Sequence, residues 1–167
     1  MKRFETTKKE NLKSKLKRYL FNFIPAYRRT GARVSFISED FKEVHIVLRL
    51  KWTTRNYVGT VFGGSIYGAL DPIYMVQLIN ILGERFVVWD KSATIKFIKP
   101  IKGKVFANFI ISDELLLKIK KEIEINKEMD IELPIEFYDN NKNIYAKVVK
   151  KIYIADKKHF KQKKITK

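Results

Sequence analysis

NYVGTVFGGSIYGALDPIY, residues 56–74, is the stretch on which the fold turns. It holds four glycines, one carboxylate (Asp71) and one proline (Pro72) among mostly apolar residues. From Gly64 to Leu82 the pattern is helical. Ile66, Leu70, Ile73, Gln77 and Asn80 mark one face, and Ala69, Met75, Val76, Leu78, Ile79 and Ile81 fill the others. A helix that is apolar on nearly all sides belongs in a core, and Gly83 is its natural stop. Asp71 inside such a helix has two readings. It is an N-cap with Pro72 at the first helical position, or it stands at a kink. In the second case Pro72 removes the bond to the Gly68 carbonyl and re-aims the carboxylate.

Strands are legible on both sides of this helix. "ARVSFIS" and "FKEVHIVLRLKW" flank the turn "SEDF". In the second, Val44, Ile46, Leu48 and Leu50 alternate with His45, Arg49 and Lys51, so one face is buried and His45 faces solvent. Residues 86–98, 104–111 and 143–155 read as three more strands. "IELPIEFYD" is a fourth, with Pro134 marking an edge or bulge. Ser112 caps a surface helix from Asp113 to about Asn126. At the N-terminus, Leu12, Leu16, Leu20 and Phe23 recur at helical spacing over residues 8–24, lysines fill the other faces, and Pro25 ends the helix. So narrow a stripe is expected to pack on the body of the protein rather than on a membrane. Strands adjacent in sequence favour antiparallel pairing, so the class is α+β, with a sheet curled around one long helix. The organisation expected is a basic N-terminal helix and lead-in (1–27), one domain (28–156) and a basic C-terminal tail (157–167).

Composition narrows the function classes. The 167 residues include no cysteine, which excludes disulfides and cysteine-bound zinc and points to the cytoplasm. Neither histidine sits in a partner motif, and no metal site is expected. The net charge of +17 invites a nucleic-acid reading. However, residues 1–33 carry eleven Lys or Arg against two Glu, and residues 157–167 carry six Lys and no acid. The body between is nearly neutral, so the charge reads as solvated ends. Nucleic acid and membrane are therefore not the expected partners.

The motif N-x-x-G-T-V-F-G-G, the aspartate nine positions after its Phe, and a following strand that ends in FIKP resemble the hotdog-fold thioesterase superfamily. The chain is most similar to an uncharacterised, thioesterase-like branch of it, a family of domains of unknown function. GTVFGGSIYGALDPIY and VVWDKSATIKFIKP carry that likeness, which spans roughly residues 20–155. It implies a curled antiparallel sheet around a long central helix, here with an extra N-terminal helix. It also implies a homodimer or dimer of dimers with a cleft between subunits. Gly63 and Gly64 match the superfamily's glycine pair, Asp71 its catalytic carboxylate and Asn56 the asparagine upstream. Phe62 departs from the pattern, standing where phenylacetate-type thioesterases carry histidine. The likeness favours the kinked-helix reading of Asp71.

Hydrolysis of a thioester needs donors for the carbonyl, a base or nucleophile, and room for the acyl chain. Backbone N–H groups of Gly63 and Gly64, at the start of a buried helix, suit the first. Asp71, about two turns on, suits the second. Asn56 either positions substrate or forms a turn. Gly59, Thr60, Phe62 and Ser65 line the same stretch, and Phe62 either lines an acyl pocket or marks lost catalysis. Asp90 and Lys91 interrupt an apolar strand, as a structural ion pair or a contact to a coenzyme A phosphate. The leading expectation is an acyl-CoA or acyl-carrier-protein thioesterase, with coenzyme A only as part of the substrate and no cofactor. The alternatives are a non-catalytic acyl-CoA or fatty-acid binder, and a nucleic-acid or anionic-membrane binder acting through the basic ends.

Overall fold

Alternation along the last strand shows where the core lies. Ala146, Val148, Ile152 and Ile154 point to one side and are fully or almost fully buried. A computed structural model describes residues 6–165, so residues 1–5 and 166–167 of the two basic ends lie outside the described residues. The elements are α1 (Leu12–Phe23), α2 (Pro25–Arg29), β1 (Arg33–Ile37), β2 (Glu43–Arg49), α3 (Gly63–Leu70) and α4 (Ile73–Leu82). After them come β3 (Phe86–Phe97), β4 (Lys104–Ile110), α5 (Asp113–Asn126), β5 (Glu128–Tyr138), β6 (Ile144–Asp156) and α6 (Lys157–Ile165). The six strands form one antiparallel sheet in the order β1-β2-β4-β5-β6-β3. The sheet curls around α3 and α4, whose Ile66, Ala69, Leu70, Ile73, Tyr74 and Leu78 are buried in it. This is the α+β hotdog arrangement that the sequence implied.

The central helix is in two pieces. Asp71 keeps helical dihedrals (φ −47°, ψ −53°) and its N–H still bonds the Tyr67 carbonyl at 3.0 Å. Pro72 then has no N–H to give the Gly68 carbonyl, and the helix restarts with Val76 N–H donating to Pro72 O at 2.9 Å. Asp71 is therefore no N-cap, and Pro72 makes no side-chain cap either. The kink is anchored by Tyr74, whose hydroxyl donates to Pro134 O at 2.9 Å. Pro134 lies in β5, which is interior in strand order. Between β4 and β5, however, pairing is reduced to Phe106 with Tyr138. Pro134 thus occupies a locally open edge, which spares the sheet its missing donor.

The helical run from Gly64 to Leu82 is kinked at Asp71 and Pro72, the reading that the likeness favoured. Three expectations are corrected. His45 does not face solvent: it is 2% exposed, 2.6 Å from Glu43 Oε1 and packed on the Phe36 ring. The C-terminal stretch expected as a solvated tail is helical through Ile165, with the Phe160 ring against Tyr153 and Lys163 Nζ 2.6 Å from Glu128. The third concerns α1, whose leucine stripe does not pack on the body. Ser14, Asn22 and the partly buried Phe21 face inward instead.

The reason lies in β1, an edge strand whose outer backbone groups need partners. Asn22 satisfies Val34 twice, accepting from its N–H at 2.8 Å and donating to its carbonyl at 2.9 Å. Glu10 accepts from Ile37 N–H at 3.1 Å while pairing with Arg18. The polar face of the helix is thus required against the sheet edge, and the leucines turn outward.

Candidate active site

The loop before α3 is built by Asn56. Its side chain accepts from Thr60 N–H and donates to Thr60 Oγ1, both at 2.9 Å. Gly59 closes the turn at φ +81°, a left-handed conformation that glycine adopts without strain. Thr60 and Ser65 are buried. The Asn56 side chain is thus occupied in holding the loop that delivers Phe62 to the start of α3. There Gly63 and Gly64 carry N–H groups with no hydrogen-bond partner among the described residues, at the positive end of the helix. The Phe62 ring lies over Gly64, 2.3 Å from where a Cβ would stand, and the Phe97 ring packs 3.2 Å from the same point on Gly63.

About 12 Å further along the helix axis, Asp71 meets a residue that sequence reasoning missed. Lys150 of β6 is fully buried, and its Nζ lies 3.0 Å from Asp71 Oδ1 and 3.0 Å from Asp90 Oδ1. The Lys150–Asp71 contact is an aligned hydrogen bond, and the Lys150–Asp90 ion pair has the same length. Burial works against the Lys150 charge, but the two carboxylates more than offset it, and its pKa is raised. Burial raises the pKa of Asp90 despite the nearby ammonium, with Asp71 adding repulsion. Tyr67, one turn before Asp71, has its phenol pKa raised chiefly by the neighbouring Asp71 carboxylate, and its ring lies 5.5 Å from the ammonium. The Asp71 side chain itself is 42% exposed. The cluster holds two carboxylates and one ammonium, with one carboxylate open to solvent at the helix kink.

Asp90 follows buried Val88 at the same parity of β3, opposite Ile152, and a bulge comes directly after it. The register with β6 shifts between Asp90 and Ser92, so Lys91 is unpaired and the inward parity moves from Asp90 to Ala93. Lys91 points away and pairs with Asp130 at 2.8 Å. The structure therefore joins Asp71 and Asp90 through Lys150, joins Asn56 and Thr60, and sets Phe62, Gly63 and Gly64 beside Phe97. Lys91 joins none of these. Lys150 did leave a signal. In "IYAKVVKKIYIA" it stands at the parity of Ala146, Val148, Ile152 and Ile154, where every other residue is apolar. Tyr67 left a weaker one, its spacing of one helical turn from Asp71.

Known structures share this architecture. A protein of unknown function from Pseudomonas aeruginosa, termed a probable thioesterase, matches with a TM-score of 0.74 and 18% identity, over 86% of this chain and 95% of that one. A protein of unknown function from Chlorobaculum tepidum matches at 0.66 and 21%, over 85% and 93%. A thioesterase from Haemophilus influenzae matches at 0.63 and 12%, over 90% and 96%. At such identities the likeness establishes the fold alone. No curated protein matches the sequence. Residues 13–154 match the family described as Domain of unknown function (DUF4442), and with its hotdog fold the chain belongs to that family.

Proposed function

We propose that the protein hydrolyses acyl thioesters carried on coenzyme A or acyl carrier protein, as a homodimer or dimer of dimers in the cytoplasm. The observation that carries this reading is Asp71, a solvent-accessible carboxylate fixed by a buried ammonium at the kink of the central helix. Asp71 takes the proton of a water as that water attacks the thioester carbon. The Gly63 and Gly64 N–H groups stabilise the oxyanion, and as the tetrahedral adduct collapses and the C–S bond breaks, Asp71 passes the proton it took to the departing thiolate. In one subunit these groups are too far apart to act on one carbonyl.

Edge geometry supports a shared site. β3 is a twelve-residue edge strand with Trp89 and Phe97 exposed. Its Phe97 end touches Gly63, and its Asp90 end connects to Asp71 through Lys150. Antiparallel pairing with a second copy, about a twofold axis near Ala93 and Thr94, sets the Phe97 end of one subunit against the Asp90 end of the other. The glycine pair of one subunit then faces the carboxylate of its partner. Turnover of a panel of acyl-CoA esters of increasing chain length tests the reading, and hydrolysis above the spontaneous rate for some member is expected. A second reading is a non-catalytic acyl-CoA or fatty-acid binder, favoured by the Phe62 ring that covers Gly64. Tight binding without turnover on any thioester is its result.

A further inference from the structure

We propose that α1 is a docking surface for an anionic lipid bilayer. This inference is independent of the thioesterase reading. Successive helical residues turn by about 100°, so Leu12, Leu16, Tyr19, Leu20 and Phe23 share one arc roughly 100° wide. Ser14 and Phe21, which face the sheet, lie on the opposite side. Leu12 is 84% exposed, Leu16 and Leu20 60% each, and Phe23 69%. The period of the stripe alone implies that the body covers it, which argues against a membrane partner. The polar contacts to β1 made by Asn22 and Glu10 fix the helix the other way round.

Charge chooses the occupant. Lys13 and Lys15 flank the stripe on its two sides, α1 contains no acidic residue, and Arg28, Arg29 and Arg33 follow close behind. Lysines beside an apolar arc let their stems lie on lipid while the ammonium groups reach phosphate. A second copy of this chain is disfavoured, because a symmetric contact would set lysine rims against each other with no acid between them. Nucleic acid would use the charge but leave the leucines in water. The exposed edge of β3 lies at the opposite end of the strand order from β1, so the dimer proposed above leaves α1 uncovered. Basic residues beside an apolar arc suit the negatively charged inner leaflet.

The test is co-sedimentation of the full chain with phosphatidylcholine vesicles, with and without phosphatidylglycerol. The expected result is binding that requires phosphatidylglycerol and weakens with added salt. Leu16→Glu with Leu20→Glu should reduce it by at least about tenfold, and Lys13→Glu with Lys15→Glu should abolish the preference for the anionic lipid. All four side chains are exposed, so thermal midpoints should stay near wild type. Should the glutamate pair unfold the protein, Leu16→Ser alone gives the same reading. The proposal is overturned if wild type ignores phosphatidylglycerol vesicles, or binds neutral ones equally. It is also overturned if the leucine variants bind like wild type, or if they lower the mass of the assembly in light scattering, which would show that a second copy covers the stripe.

Discussion

Replacing Lys150 by methionine keeps most of the buried volume and deletes the charge. Both carboxylates lie 3.0 Å from the Lys150 Nζ, so their facing oxygens are at most about 6 Å apart. Two unit charges at that distance repel by roughly 3 kcal/mol at an effective dielectric of about 20. Asp71 is 42% exposed, so solvent screening brings this nearer ~1–2 kcal/mol. The partly buried Asp90 also loses its counter-charge, and breaking such a pair from one side brings the total cost to about 3 kcal/mol. The pairing makes a sharper prediction about Asp90→Asn. In the wild type this change removes a counter-charge from the ammonium but also a carboxylate that burial disfavours, so its net effect should be small. In the Lys150→Met background it removes only a disfavoured like charge, and its effect should be more stabilising than in the wild type by ~1–2 kcal/mol. Urea denaturation of the four proteins, followed by circular dichroism, measures the cycle. The reasoning fails if Lys150→Met lies within about 0.5 kcal/mol of wild type, or if Asp90→Asn has the same effect in both backgrounds.

Three further outcomes follow from the fold. Light scattering at micromolar concentration should give a dimer or tetramer, and a monodisperse monomer would remove the shared site. Burial lowers the pKa of His45 from its ordinary 6.5, against the pull of Glu43. The folded state then binds fewer protons than the unfolded one, so stability is full above about pH 6.5 and falls as the pH drops below it. His45→Gln should flatten that slope in thermal melts, and an unchanged slope would place the acid sensitivity elsewhere. Gly31→Ala should cost at least ~2 kcal/mol, because Gly31 sits at φ +81° with a would-be Cβ 2.0 Å from Thr54 Cγ2. A smaller loss in urea denaturation would mean that the Thr54 loop yields.

The strands, the surface helix capped by Ser112 and the buried helix were legible because each follows from a local rule of period, cap or stop signal. The kink at Asp71 was legible from Pro72. What escaped were features that depend on which element lies opposite. The stripe of α1 has the right period to be buried, but the backbone of an edge strand needed Asn22 and Glu10 more than the core needed leucines. His45 lies at the polar parity of β2 and is still buried, because Phe36 and Glu43 enclose it. Lys150 is hidden as one lysine among 27, although its parity in β6 sets it apart. Asp90 was singled out, but its partner Lys150 lies on β6, 60 positions further along the chain.

The central claim is that Asp71 acts as the base or nucleophile in thioester hydrolysis. Asp71→Asn keeps size and polarity and leaves Asp90 to hold the Lys150 ammonium, so the fold should persist. With the best acyl-CoA from the panel, turnover should fall by at least about 10²-fold, the scale of losing a general base, while the thermal midpoint moves little. Turnover at the wild-type rate in a folded Asp71→Asn variant would contradict the account.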